Sequence, residues 1–193
     1  MRRINFDRDE VVEKAMHLFW LQGYHATTVD HLLKAMDIRR SSFYNTFGGK
    51  EPLFLEALAR YRAQAPGRHL RQMQNGVSIR EVVRKVLYEI VEIGVGDPQA
   101  RGCLLVNSIV ELAASDDALG PQVASDLHGL RNVLRMLIGQ AQAAGEFGPE
   151  QEPEALAAFL SNSISGLRVM SKVFPNRKVL SDAADLTLTV LDR

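Results

Sequence analysis

Side chains able to read DNA are concentrated in residues 39–50, which have the sequence RRSSFYNTFGGK. On a helix, Phe43 and Phe47 lie four residues apart and therefore face inward together. The polar residues then face outward, namely Arg40, Ser41, Ser42, Tyr44 and Asn45. Arginine and asparagine hydrogen-bond to base edges in the major groove, and small residues let a helix approach them closely. The pattern therefore predicts a short helix that reads DNA sequence.

Two of the nearby residues are suited to the phosphate backbone instead. Tyr44 offers a hydroxyl donor, and Lys50 places a positive charge at the start of the following helix. The backbone N–H groups at a helix start already favour an anion, so Lys50 adds to an existing phosphate site. Contacts of this kind hold a reading helix in register on the duplex.

Three short helices and a tight turn must position these side chains. The first helix ends at Gly23, and the pair Thr27-x-x-Asp30 predicts the start of the second. The third covers about residues 40–47. The turn between the second and third helices includes Asp37, and aspartate is one of the few residues besides glycine that accept a left-handed conformation.

The rest of the chain repeats apolar residues at spacings of three and four, which predicts helices throughout. Asp97 and Pro98 look like the cap and first position of a helix that runs through Cys103. Further helices are predicted at about residues 50–65, 78–94, 117–144, 153–174 and 178–191. The sequence therefore predicts an all-α fold of about nine helices.

Composition excludes several classes of protein. The 193 residues carry 23 basic and 23 acidic side chains, so the zero net charge excludes binding to nucleic acid by bulk charge alone. The single cysteine, Cys103, cannot form an internal disulfide. No apolar run reaches the roughly 18 residues that a membrane helix needs, and no signal peptide is recognisable. We therefore expect a cytoplasmic protein that does not associate with membranes.

Catalytic and metal-binding patterns are not found in the sequence. The five histidines lack ligand spacing, and no cysteine or acidic cluster accompanies them. The segment Gly48-Gly49-Lys50 lacks the earlier glycine and the following Ser or Thr of a phosphate-binding loop, because Tyr44 and Glu51 occupy those positions. We therefore predict neither an enzyme, a metal site nor a cofactor.

Residues 6–61 resemble the DNA-binding domain of the TetR (tetracycline-repressor-like) family. The matching residues are Ala15, Phe19, Gly23, Tyr24, Thr27, Thr28, Val29, Ile38, Ser42, Phe43, Tyr44, Phe47, Lys50 and Leu53. The resemblance implies a helix-turn-helix domain over residues 1–49 and a helical ligand-binding and dimerisation domain over residues 50–193.

The resemblance also implies which residues meet DNA. Thr28, Tyr44 and Lys50 fall on phosphate-contacting positions of the family. The full predicted DNA-binding set is Thr27, Thr28, Arg39, Arg40, Ser41, Ser42, Tyr44, Asn45 and Lys50. Two residues depart from the family pattern: Asp37 replaces the usual glycine, and Arg39 replaces the usual Ser or Thr helix cap. The cap must then come from elsewhere, and Arg39 either contacts DNA or is an ordinary exposed arginine.

The helices after residue 78 are expected to hold the ligand and the dimer interface that the family implies. Tyr88, Cys103 and Asn107 are the predicted ligand-binding residues. Because no charged cluster is visible, a small, neutral, hydrophobic or aromatic ligand fits best. The helix at 153–174 and the last helix are predicted to form a four-helix dimer interface; the alternative is a closed bundle within one chain.

Cys103 allows a second interpretation. It is predicted just inside a helix N-terminus and two residues after Arg101, where a thiol is activated. The surrounding segment resembles the subgroup of N-ethylmaleimide-responsive repressors, some of which sense electrophiles or oxidants. The alternative is a small apolar residue packed in the core.

Together these features predict a homodimeric transcriptional regulator, a repressor that a small-molecule inducer releases from a palindromic operator in double-stranded DNA. One alternative is a redox or electrophile sensor acting through Cys103. The alternative from a different class is a helical ligand-binding or enzymatic protein that binds no specific DNA.

Overall fold

The computed structural model describes residues 6–66, 70, 78–146, 148 and 150–192, and these residues form nine α-helices and no strand. The all-α prediction is thereby confirmed. The helices are α1 Arg8–Gln22, α2 Val29–Met36, α3 Arg40–Phe47, α4 Lys50–Gln64, α5 Ile79–Gly96, α6 Leu104–Leu112, α7 Gly120–Ala143, α8 Pro153–Val173 and α9 Arg177–Leu188. A short 3-10 turn, Thr189–Leu191, follows α9.

The first core lies among α1 to α4. Phe19, Phe43 and Phe54 are almost completely buried there, and the rings of Phe19 and Phe54 meet edge to face with centroids 5.0 Å apart. The apolar face of α4 belongs to this core, as do residues of α6 and the start of α7 such as Leu112 and Val123. The boundary after residue 49 stays a prediction, and α4 packs both on α1 to α3, the predicted DNA-binding unit, and on the helices of the body.

The second core is formed by α5, α7, α8 and α9. Val86 of α5, Leu134 of α7 and Ile164 of α8 are buried together with Ala184 of α9. Burial of such apolar side chains is the main favourable term in folding, and it fixes α5 against the pair α8 and α9.

The start of α6 differs from the prediction. Asp97 does not begin a helix; its carboxylate accepts hydrogen bonds from the N–H groups of Gln99 at 3.2 Å and Arg101 at 2.8 Å. Ala100 and Gly102 then adopt positive φ angles of 47° and 69°, which interrupts any helical path. The helix begins only at Leu104, so Cys103 occupies the N-cap position rather than the first turn.

Close packing of α5 against α8 depends on Gly94. A Cβ placed on Gly94 would lie 2.4 Å from the Cβ of Ser171, whereas a Cβ on Gly96, in the same helix, would meet nothing within 4 Å. The helices can therefore touch at residue 94 only because glycine has no side chain.

We predict that Gly94→Ala lowers the free energy of unfolding by about 1–3 kcal/mol, because the added methyl forces α5 and α8 apart. Gly96→Ala is the matched control and is expected to be neutral or stabilising by up to about 1 kcal/mol, since alanine favours the helix. Urea unfolding followed by circular dichroism measures both. Equal stability of the two variants would contradict the close α5–α8 contact.

Candidate nucleic-acid interface

A left-handed turn joins α2 to α3. Asp37 adopts φ 55° and ψ 46°, and the N–H group of Ile38 donates to the carbonyl of Leu33 at 3.3 Å. Aspartate tolerates this conformation better than most residues, so the turn forms without the usual glycine. The sequence prediction for Asp37 is confirmed, and α3 is set at an angle to α2 with one face against the core.

The outer face of α3 carries most of the predicted reading residues. Phe43 and Phe47 are buried, Ser42 is half-buried, and the others lie on the exposed surface. These exposed residues are Arg39, Arg40, Ser41, Tyr44 and Asn45. Tyr44 is 46% exposed, which is unusual for a ring of this size, and its edge packs on Phe43 with centroids 5.1 Å apart. The face is therefore polar, continuous and exposed enough to enter a groove of DNA.

The N-terminus of α3 has no side-chain cap. Arg39 occupies the N-cap position in an extended conformation, and no side chain accepts a hydrogen bond from the first turn. The expectation that another residue supplies the cap is therefore wrong. The uncapped N–H groups at the start of α3 point outward and suit an anion such as a phosphate oxygen.

Arg40 is held by an ion pair rather than left extended in solvent. Its guanidinium contacts the carboxylate of Asp30 on α2, and both side chains are largely exposed. Exposed pairs of this kind contribute little to stability because water screens them. Arg40 can therefore exchange Asp30 for a phosphate or a guanine edge at small cost.

Thr27 and Thr28 have different positions, and one of the predicted roles must be corrected. Thr27 is fully buried, and its hydroxyl donates to the carbonyl of Gly23 at 2.6 Å, so this side chain cannot meet DNA. Thr28 is exposed and is the true N-cap of α2, accepting from the N–H of His31 at 3.2 Å. The predicted cap is thus one residue too early, because the hydroxyl of Thr27 is already engaged by Gly23.

Lys50 lies at the start of α4, three residues after the end of the reading helix α3. Its ammonium lies 4.1 Å from the centre of the Tyr24 ring, a cation–π contact. Burial lowers the pKa of the Lys50 side chain below its usual value, while the negative carboxylate of Glu111 opposes that shift. Gly49, the N-cap residue of α4, provides no side-chain acceptor for the first turn. Lys50 and the N-terminus of α4 therefore form a second phosphate-compatible site.

Glu111, which the sequence did not single out, joins the body to this surface. From the end of α6 its carboxylate accepts the backbone N–H groups of Tyr24 at 2.9 Å and His25 at 2.7 Å. Gly23 has a φ of 82°, which favours glycine, and a Cβ there would lie 2.7 Å from a Glu111 carboxylate oxygen and displace it. We call these contacts the Glu111 clasp. No local pattern reveals it, because its partners are 86 and 87 residues apart in sequence.

A second contact joins the α5–α6 connection to α1. The guanidinium of Arg101 lies 4.1 Å from the centre of the Trp20 ring and its Nη1 is 3.1 Å from Nδ1 of His17. Asp97 holds Arg101 in place through a hydrogen bond of 3.1 Å. The body therefore contacts the DNA-binding unit at both ends of α6.

A cavity of about 440 Å³ lies between α4, α6, α7 and α8. Among the residues that the structure describes, its walls are mostly aliphatic, with three charged side chains. The residues that line it are Ala59, Arg62, Ala63, Ala65, Pro66, Leu70, Leu105, Val106, Ile109, Asp126, Leu127, Leu130, Val133, Ser165 and Arg168. Its size is in the range of small-molecule sites in proteins.

The three residues predicted to bind a ligand do not line this cavity. Tyr88 points to α9, where its hydroxyl donates to Asp185 at 2.7 Å. The side-chain amide of Asn107 donates to the carbonyl of Arg101 at 2.8 Å and so stabilises the turn before α6. Cys103 borders a separate cleft of only about 20 Å³. Ligand binding by these three residues therefore stays a prediction, and in this structure the side chains of Tyr88 and Asn107 are engaged in contacts of their own.

Cys103 is buried, with 3% of its surface exposed. It lies against Tyr61, and burial together with the neighbouring thiol raises the pKa of the Tyr61 hydroxyl above its usual value. A buried thiol at an N-cap fits a packed core residue better than a reactive sensor. Sensing through Cys103 stays a prediction that a Cys103→Ser variant would test.

The charged lining corrects the basis of the ligand prediction. Arg62 and Asp126 form an ion pair, and Arg168 lines the same cavity. The expectation of a site without charges therefore does not hold, because α4, α7 and α8 bring together residues that are far apart in sequence.

Within the described part of the chain, no group of three or more potential metal ligands is found. No helix among those residues is long and apolar enough to cross a membrane.

The Glu111 clasp makes a testable prediction. Glu111→Ala leaves two N–H groups without their acceptor, which should lower the free energy of unfolding by about 1–2 kcal/mol. The amides of Tyr24 and His25 are expected to exchange hydrogen for deuterium faster, as mass spectrometry of peptides can measure. Glu56→Ala, which removes an exposed contact to Arg8, is the control and should leave exchange at these amides unchanged. Unaltered protection in Glu111→Ala would contradict the clasp.

Comparison with known proteins agrees with this geometry. Residues 11–57 match the family described as bacterial regulatory proteins, tetR family, and residues 79–186 match the one described as tetracyclin repressor-like, C-terminal domain. The chain is 30% identical to the uncharacterized HTH-type transcriptional regulator YezE of Bacillus subtilis over 99% of both chains. It is 28% identical to the HTH-type transcriptional repressor ComR of Escherichia coli, over 95% of this chain and 88% of ComR.

A solved structure shows the same fold bound to DNA. It is a cysteine mutant of the TetR family transcriptional regulator CifR in complex with 26-base-pair double-strand operator DNA. The similarity has a TM-score of 0.88 and 32% sequence identity, and it covers 98% of each chain. The two family matches, the full-length relative and this shared fold lead to one conclusion: the chain is a DNA-binding transcriptional regulator of the TetR family.

Proposed function

We propose that the protein is a homodimeric repressor that a small molecule releases from a palindromic operator. The observation that carries the proposal is that α4 and α6 both line the cavity and both contact the DNA-binding unit. A ligand in the cavity would therefore contact the same two helices, α4 and α6, against which the DNA-binding unit packs. Repression is favoured by the description of ComR as a repressor.

DNA binding is assigned to the exposed face of α3. Arg39, Arg40, Ser41 and Asn45 enter the major groove, with the half-buried Ser42 beside them. The phosphate contacts come from Thr28, Tyr44 and Lys50, which are placed around α3 on α2, α3 and α4 respectively. The chain's zero net charge means that this local arrangement, not bulk attraction, must provide affinity.

Dimerisation is assigned to α8 and α9. Both helices expose large apolar side chains that a lone chain would leave in water, at Phe159, Val169, Met170, Val173, Phe174, Val179 and Leu186. This favours a two-chain bundle over the closed single-chain alternative. Of the small residues in this segment, Gly166 is exposed while Ser161 is buried within the chain, so Gly166 suits close approach of a second copy. Dimerisation places two α3 helices on half-sites about 34–36 Å apart, or a multiple of that spacing.

Release from DNA follows from the shared helices. Filling the cavity changes how α6 rests on α4, and the Glu111 clasp at the end of α6 transmits the change to the loop before α2. The spacing of the two reading helices then no longer fits the operator. A coupling of about 1–3 kcal/mol between ligand and DNA is typical of such switches. The protein acts where its operator lies, which places it in the cytoplasm.

The function is tested by selecting bound duplexes from a random pool with the full-length protein, followed by fluorescence anisotropy on the selected sequence. We expect a palindromic site that resists competition by random DNA at two salt concentrations. Binding that disappears with competitor would instead favour a helical protein without specific DNA recognition.

Tyr44→Ala is predicted to weaken operator binding at least about tenfold, because it removes a phosphate contact and exposed aromatic surface at the centre of the α3 face. Anisotropy measures the affinity, and sedimentation measures whether the dimer persists. Tyr88→Phe, which changes a tyrosine on α5 away from α3, is the control and should bind as the unaltered protein does. Unimpaired binding by Tyr44→Ala would refute the assignment of α3.

Leu186→Glu is predicted to convert the dimer to a monomer, because Leu186 is 70% exposed on α9 and a charge there cannot be buried between two chains. Analytical ultracentrifugation gives the mass. Met136→Glu is the matched control, since Met136 is 53% exposed on α7 outside the proposed interface. A dimer that survives Leu186→Glu with unchanged stability would argue against α9 as interface.

A further inference from the structure

We propose that the inducer is a small organic acid whose carboxylate pairs with Arg168 in the cavity between α4, α6, α7 and α8. This inference rests on the proposed function for the existence of an inducer, and it specifies the chemical class and the anchoring residue. It replaces the neutral ligand that the sequence favoured.

The charges of the cavity are unbalanced. Of the residues that the structure describes, three charged side chains line it: Arg62, Asp126 and Arg168. Arg62 and Asp126 neutralise one another as an ion pair. Among the described residues no carboxylate lies within ion-pair distance of Arg168, so the lining carries one positive charge in excess.

Arg168 also has few hydrogen-bond partners for a buried cation among the described residues. Only 9% of its surface is exposed, and its hydrogen bond goes from Nη2 to the carbonyl of Pro66 at 2.6 Å. A guanidinium has five N–H donors arranged in a fork that matches the two oxygens of a carboxylate. Burying such a charge without an anion is costly, so the site favours a ligand that brings one.

The rest of the lining defines the remainder of the ligand. Most of the other described lining residues are aliphatic and include Leu70, Leu105, Val106, Ile109, Leu130 and Val133. One unpaired cation beside such walls fits a monoanion with an apolar chain or ring. A phosphate ester, with two charges and more oxygens to solvate, would leave charge against apolar surface.

The position of Arg168 also connects the acid to DNA release. Pro66 follows the end of α4, and Lys50 stands at the beginning of that helix. A carboxylate that attracts the Arg168 guanidinium competes with the Pro66 carbonyl for it. Ligand binding therefore alters the contact that holds the end of α4 to α8, and α4 carries that change toward the reading surface.

The test compares acids with neutral molecules of nearly the same shape, using isothermal titration calorimetry on the full-length protein without DNA. The probes are octanoate against octanamide, and cinnamate against cinnamamide. We expect each acid to bind at least about tenfold more tightly than its amide, as a charge-assisted hydrogen-bonded pair requires. Equal binding of acid and amide, or no binding of any acid, overturns the proposal.

Two variants move the preference in opposite directions. Arg168→Gln should abolish the preference for the acid, while Asp126→Asn removes the negative charge beside Arg62 and should increase it severalfold. Arg131→Gln, an exposed arginine of α7 that pairs with Glu154, is the control and should change neither affinity. Thermal melts establish that each variant is folded. If Arg168→Gln does not fold, Asp126→Asn still decides, because a preference that fails to rise contradicts the proposal.

Operator binding separates this inference from the function on which it rests. A protein that prefers acids through Arg168 but selects no operator would overturn the proposed function and leave the ligand class intact. A protein that binds its operator but treats acids and amides alike would overturn the ligand class alone. Release of the selected operator by octanoate, and not by octanamide, supports both.

Discussion

Two backbone N–H groups in the loop after α1 take their acceptor from a different part of the chain, the carboxylate of Glu111 at the end of α6. The loop leads directly into α2, so the orientation of the helix-turn-helix depends on where α6 lies. Gly23 has a φ of 82°, which favours glycine, and a side chain there would displace the carboxylate. The DNA-binding unit and the body therefore cannot move independently while these hydrogen bonds persist.

Helix α4 connects the DNA-binding unit to the cavity as well. Phe54 and Leu58 of α4 pack with the first three helices, while Ala59, Arg62 and Ala63 on the same helix face the cavity. One helix thus has one side in each part of the protein. Packed interiors adopt discrete arrangements more readily than a continuum of them. Under the proposed function, a ligand beside α4 would therefore shift the reading helix as a unit.

Much of the DNA-binding surface could be predicted from sequence because its signals are local. The spacing of Phe43 and Phe47 predicted which face of α3 is buried, and the tolerance of aspartate for a left-handed turn predicted the role of Asp37. Local reasoning was wrong at Thr27, whose hydroxyl donates to the carbonyl of Gly23, and at Asp97, whose carboxylate organises a turn instead of starting a helix. Both residues have the right type for a cap, and only the backbone path decides which cap forms.

The residues that line the cavity, in contrast, could not be predicted from local signals. Tyr88, Cys103 and Asn107 are plausible lining residues by type, yet none of them lines the cavity. Tyr88 and Asn107 hydrogen-bond elsewhere, and Cys103 borders a small neighbouring cleft that shares Arg168 with the cavity. By itself the sequence determined the helices, the reading face and the family, because these follow from spacings of three and four residues and from turn chemistry. Only the tertiary structure decided that Glu111 meets Tyr24 and His25, that Arg62 pairs with Asp126, and that Arg168 donates to the carbonyl of Pro66 beside that pair. Those contacts join residues between 64 and 102 positions apart, and no local periodicity records which distant side chains a folded core will bring together.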